Sequence, residues 1–181
     1  MDILSTNIIT FDNRPFENVQ EMESVIVQNW NSVVQSNDTT YIIGDFCWDK
    51  EDEWKRILKL ITGSKVLILG NHDLKQMSAE LKRMFQDIKD YKEITDEGRH
   101  VIMCHYPILC YKGSYDPNTY MLFGHVHNQT RESRWCDKWI SELRNNRIDS
   151  YDNRGNLYNV GCMMPYMNYT PRTLNEIIKN T

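Results

Sequence analysis

Four apolar runs in this chain each lead, within a residue or so, into a short polar motif built on glycine or histidine. Tyr41-Ile42-Ile43 leads into Gly44-Asp45, and Val66-Leu67-Ile68-Leu69 into Gly70-Asn71-His72-Asp73. Val101-Ile102-Met103 leads to His105, and Tyr120-Met121-Leu122-Phe123 into Gly124-His125-Val126-His127. Short apolar runs bounded by turn formers read as buried strands. Continuous rather than alternating hydrophobicity belongs to parallel sheets covered on both faces. Such strands end at a common edge, and ligands bind just beyond their carboxyl ends. The pattern therefore delivers an Asp, an Asn and three or four His to one rim of the fold.

Helical patterns alternate with these strands. Asn18 and Glu21 have the spacing of a capping box, and Val19, Met22, Val25, Ile26, Trp30 and Val33 then recur at helical spacing. Asp49 is placed to cap a second helix with Trp54, Ile57, Leu58 and Ile61 on its inner face. Leu74, Met77, Leu81, Met84 and Phe85 predict a third helix. Asp96-Glu97-Gly98 between two strand-like runs predicts a hairpin. Further on, Trp135, Trp139, Ile140 and Leu143 predict a short amphipathic helix, Asn153-Arg154-Gly155-Asn156 a turn, and Leu157 to Cys162 a last strand. With no repeat, low-complexity tract or linker, the expectation is one α/β domain over residues 1–181.

Composition narrows the function classes. A net charge of −4 argues against a broad basic surface for nucleic acid. No apolar stretch approaches the roughly 20 residues of a membrane span, and the first residues lack the basic and apolar regions of a signal peptide. The five cysteines are dispersed, without a C-x-x-C pair, so free thiols in a reducing, cytoplasmic setting are expected rather than disulfides or a zinc knuckle.

Taken singly, the polar motifs differ in weight. A Gly-Asp after a strand is more often a turn, and His105 alone would more often be a satisfied buried histidine. Gly70-Asn71-His72-Asp73 is stronger, because it sets a neutral oxygen, an imidazole and a carboxylate in one tight turn; helix capping by Asp73 is the plainer alternative. His125 and His127 lie two apart, and in an extended segment such residues face the same way. Four of the five histidines follow strands, while His100 looks ordinary. Oxygen and imidazole ligands without thiolates suit Mn²⁺, Fe, Zn²⁺ or Ni²⁺ better than Mg²⁺ or Ca²⁺. Two such ions roughly 3.5–4 Å apart would clamp the oxygens of a displacement at phosphorus.

At these residues the chain resembles the calcineurin-like metallophosphoesterases, especially small bacterial and phage members. The likeness extends to Asn13-Arg14-Pro15-Phe16 before the first long helix, and to Asn159-Val160-Gly161 and Asn168-Tyr169-Thr170-Pro171 near the end. It implies a four-layer α-β-β-α sandwich: two packed mixed sheets flanked by helices. It implies hydrolysis of phosphodiesters or phosphomonoesters by a metal-activated water, without a covalent phosphoenzyme, on a small phosphoester or nucleotide. The resemblance makes Asp45 the bridging carboxylate and groups it with Asn71, His105 and His125 at one metal. His127 would hold the other metal. His72 would stabilise or protonate the leaving oxygen, oriented by Asp73 or another carboxylate.

The family opens with a strand ending in Asp-x-His, whereas the first histidine here is His72. The expectation is therefore a truncated first strand, one well-formed metal position and one incomplete one. A strand edge would be left open in the core, a possible dimerisation surface. Asp2 beside the terminus is a poor ligand. Asp12 fits the family's segment before Arg14-Pro15-Phe16 and is not taken as a substitute. Three readings stay open: an impaired phosphoesterase, a truncated remnant of a longer active enzyme, or a non-catalytic scaffold. The last has precedent in a retromer subunit of this family that has lost its catalytic histidine, which is present here as His72.

Overall fold

The computed structural model describes residues 6–128, 130–145 and 155–181. In its first half come α1 (Thr6–Phe11), α2 (Val19–Val33), β1 (Thr39–Ile43), α3 (Glu51–Leu60), β2 (Ser64–Ile68), α4 (Ala79–Lys82) and β3 (Asp87–Lys89). The second half holds β4 (Tyr91–Asp96), β5 (Arg99–Cys104), β6 (Thr119–Phe123), α5 (Arg131–Asn145), β7 (Leu157–Asn159) and α6 (Leu174–Asn180). Strands β1-β2-β3 form one parallel sheet. The second sheet runs β4-β5-β6-β7, antiparallel at β4–β5 and parallel elsewhere.

Strand side chains alternate between faces, and here both faces are apolar. Val66 and Ile68 of β2 pack with Val101, Met103 and Leu122 of the second sheet, forming the layer between the sheets. Leu67 points the other way, into a cluster with Ile26 and Trp30 of α2 and Trp54 and Ile57 of α3. On the far side, Ile102, Met121 and Phe123 meet Cys136 of α5. The order is thus helix, sheet, sheet, helix, the layering the resemblance implied. Among the described residues no two cysteines pair with each other in a disulfide. Among the described residues no helix is long and apolar enough to cross a membrane.

The local sequence signals carry into the structure unevenly. Asn18 caps α2 by accepting the Glu21 N–H at 2.9 Å, but the Glu21 carboxylate reaches the N–H of Glu17 rather than closing a box on Asn18. At α3 the cap position is Lys50, without a side-chain cap, and Asp49 instead accepts the Lys50 N–H. The hairpin is present, with Glu97 and Gly98 both at positive φ, the requirement of a tight two-residue turn matching strand twist. The helix expected over Leu74 to Phe85 shrinks to α4. Glu51 of α3 accepts both the N–H and the hydroxyl of Ser78, fixing that residue in an extended conformation as the cap of α4. The expected amphipathic helix is α5, though Trp135 lies on its outer face, 62% exposed and stacked on Trp139. Asn153 and Arg154 of the expected turn fall outside the described residues, as do Met1 to Ser5. The segment from Thr6, set against the family's first strand and its following loop, is helical as α1.

Strand β1 carries β2 on one edge and, among the described residues, no strand on the other. Along that second edge lies a cleft of about 700 Å³, lined by every residue from Asp38 to Gly44. Consecutive residues can line one cleft only where a strand presents its edge rather than one face. Leu122 and Met103 of the second sheet and Leu174 of α6 form its other walls.

Candidate metal centre

Parallel register brings the motifs together before any side chain acts. Ile43 pairs with Ile68, so Gly44-Asp45 and Gly70 leave the first sheet side by side. Met103 pairs with Leu122, so His105 and Gly124-His125 leave the second sheet together. The crossing is tight enough to demand glycine. A Cβ on Gly44 would lie 2.1 Å from His105 Nδ1, and one on Gly70 would lie 2.2 Å from Asp45 Oδ1. Gly44 also sits at φ +71°, which L side chains rarely adopt.

Asp45 follows at φ 50°, a left-handed conformation unusual for a residue with a Cβ. Asp73 fixes that turn. Its buried carboxylate accepts the N–H groups of Asp45 at 3.1 Å, Phe46 at 2.8 Å and Gly70 at 2.8 Å. Burial pushes the Asp73 carboxyl upward, against the pull of the Gly70 and Phe46 N–H donors. The resemblance implied that Asp73 or another carboxylate orients His72. Instead Asp73 fastens the two loops to each other, and among the described residues no hydrogen bond joins it to the His72 ring. The His72 backbone N–H donates to Asp45 Oδ1 at 2.9 Å.

His105, 1% exposed, stands at the centre. Around its Nε2 lie Asn71 Oδ1 at 2.9 Å, His125 Nδ1 at 3.1 Å and Asp45 Oδ2 at 3.3 Å. Ligands held about 2.1 Å from a common ion are spaced about 3.0 Å apart in an octahedral shell and about 3.4 Å in a tetrahedral one. The separations lie close to that spacing, and Asp45, His105 and His125 offer ligand atoms that all lie within 4.8 Å of one another, a group able to hold one ion with Asn71 beside it. Ile43 O lies 3.4 Å from the other ring nitrogen of His105, a backbone acceptor of the kind that fixes a metal-binding imidazole. Burial raises the Asp45 carboxyl, but the His105 ring and the His72 N–H outweigh it and hold the group at about 2. Burial and the neighbouring His105 push His125 below its ordinary value. Both shifts favour the deprotonated forms that a metal requires.

His125 and His127 are half-buried on either side of Val126, whose side chain points into the core. Asn159 Nδ2 donates to Val126 O at 2.6 Å and Asn159 Oδ1 accepts the Gly161 N–H at 3.0 Å, tying this loop to β7. His127 stands apart from the cluster. Both carboxylate oxygens of Asp12 lie 3.1 Å from its Nδ1. Asp12 is in turn held by Arg14, whose Nη2 donates to Oδ2 at 2.8 Å with both side chains out of solvent. Sequence reasoning set Asp12 aside, yet it is the carboxylate on His127. Among the described residues, Asp45, His105 and His125 are the group of three Asp, Glu, His or Cys side chains close enough to share an ion.

A model of the calcineurin-like phosphoesterases matches residues 16–169. The chain belongs to that family. An uncharacterized protein of Methanocaldococcus jannaschii is 32% identical over 123 residues, 67% of this chain. The match spans 62% of that protein, less than two thirds of its length. A solved structure of a protein of unknown function from Aquifex aeolicus superposes with a TM-score of 0.65 at 29% identity, covering 97% of this chain and 92% of its own. Family membership implies use of a divalent metal, and the Asp45, His105 and His125 group is placed to hold one.

Proposed function

We propose that this protein is a metal-dependent phosphoesterase acting on small phosphodiesters or phosphomonoesters, nucleotides among them. The observation that carries this reading is the convergence of Asp45, Asn71 and His125 on His105 Nε2 within 3.3 Å. A bound divalent ion, Mn²⁺, Fe, Zn²⁺ or Ni²⁺ by its ligand types, supplies Lewis acidity and an activated water. Asp45, Asn71, His105 and His125 form the developed position. His127, backed by Asp12, belongs to a second position that has fewer ligands among the described residues, and reduced activity at low metal is the expected consequence. His72 is exposed beside the cluster, its main chain tied to Asp45 and its ring packed on one side against Trp48. It is the residue placed to give a proton to the leaving group.

The test is hydrolysis of alkyl and nitrophenyl phosphoesters by the chain supplied with each metal. Turnover should require metal and disappear in Asp45→Asn. His72→Ala should keep its metal and lose about 10²–10⁴-fold on alkyl esters. The loss should be much smaller on nitrophenyl esters, whose leaving group needs no proton. No turnover with any of the four metals would contradict the reading, as would an equal loss on both ester types.

A further inference from the structure

Each histidine of the candidate site has an aromatic ring against it, and each of those rings is open to solvent. Trp48 lies over His72 with centroids 4.0 Å apart and planes tilted by 36°. Tyr106 sits 4.6 Å from His125 and 5.1 Å from His105. Phe11 meets His127 edge-on at 5.4 Å. Trp48 and Tyr106 are each 47% exposed and Phe11 62%. None of the three belongs to a hydrophobic cluster of the core. They arrive from separate segments: Phe11 at the end of α1, Trp48 after Gly44-Asp45, Tyr106 directly after His105. Core packing does not account for them, and what sets them apart from the other exposed aromatics is that all three border the histidines of the candidate site.

We infer that these rings form a stacking subsite, and that the preferred substrates are phosphoesters carrying a planar base, that is, nucleotides rather than sugar or alkyl phosphates. This deepens the phosphoesterase reading and rests on it. A net charge of −4 provides little general attraction for phosphate. Binding the organic half of the substrate therefore depends on contacts that ignore charge. Aromatic faces supply them, since every base has a π-face and stacking tolerates any base. Trp48 dominates, having the largest ring, one face on His72 and nearly half its surface open.

Adenosine 5′-monophosphate and ribose 5-phosphate share their sugar and phosphate, so comparing them isolates the base. Calorimetric binding to the Mn²⁺-loaded chain should favour the nucleotide at least tenfold. Trp48→Ala should cut that preference by about 5- to 150-fold, the worth of one stacked base, and Trp48→Phe should retain most of it. Tyr106→Ala should narrow it less. Equal affinity for the two ligands, or a preference untouched by both alanine variants, overturns the inference. Phosphate release is followed in parallel. Strong preference for the nucleotide without hydrolysis of any phosphoester keeps the stacking subsite and overturns the phosphoesterase reading.

Discussion

Two oxygens of Asp12 at 3.1 Å from His127 Nδ1 require that nitrogen to carry the proton. Nε2 then keeps the lone pair, as in the carboxylate–histidine–metal arrangements that orient ligands. Burial raises the Asp12 carboxyl, but His127 and Arg14 outweigh it and hold the group below its ordinary value. A carboxylate depressed in this way contributes stability that is fully present above its unfolded value of about 3.9 and is lost as pH falls through its lower folded value. Asp12→Asn should therefore lower stability at pH 7 while flattening the acid limb of thermal melts taken from pH 2 to 6. It should also release His127 from a single tautomer, visible in its ¹⁵N shifts. Parallel acid limbs, with the tautomer unchanged, would refute the pairing.

At the scale of elements, the loops after β1 and β2 are one object, because Asp73 joins Asp45, Phe46 and Gly70. Asp73→Ala leaves three N–H groups without that carboxylate, a cost of about 3 kcal/mol or more. Denaturant melts should show it, together with loss of metal affinity as Asp45 leaves its left-handed turn. The ratio of turnover on alkyl and nitrophenyl esters should stay as in the parent, because His72 does not lean on Asp73. A changed ratio would restore Asp73 to the orienting role expected of it. The two loops also show what a sequence displays. Asp45, Asn71, His105 and His125 were legible because each follows an apolar run, and parallel strands deliver such residues to one edge. Asp12 follows a helix, and nothing local announces that a residue 115 positions away will meet it. The expected helix over Leu74 to Phe85 had the right apolar spacing, and Leu81 and Phe85 are buried. Its first half was overridden by Glu51, a tertiary partner of Ser78 that propensity cannot see.

For the whole molecule, the two-sheet layering follows from apolar residues on both strand faces, and that was readable. Among the described residues β1 has no strand on its second edge, along which the cleft of about 700 Å³ runs between the sheets and α6. That cleft contains none of the candidate ligands, so the metal position centred on His105 is built independently of it. The central claim is that Asp45, Asn71, His105 and His125 make one complete metal position, while His127 belongs to a weaker one. Dialysis against excess Mn²⁺, followed by metal analysis after removing free ions, tests this directly. Parent protein should retain nearer one ion than two per chain, His127→Ala should retain the same, and His105→Ala should retain almost none. Two tightly held ions, or an undiminished ion in His105→Ala, would contradict it.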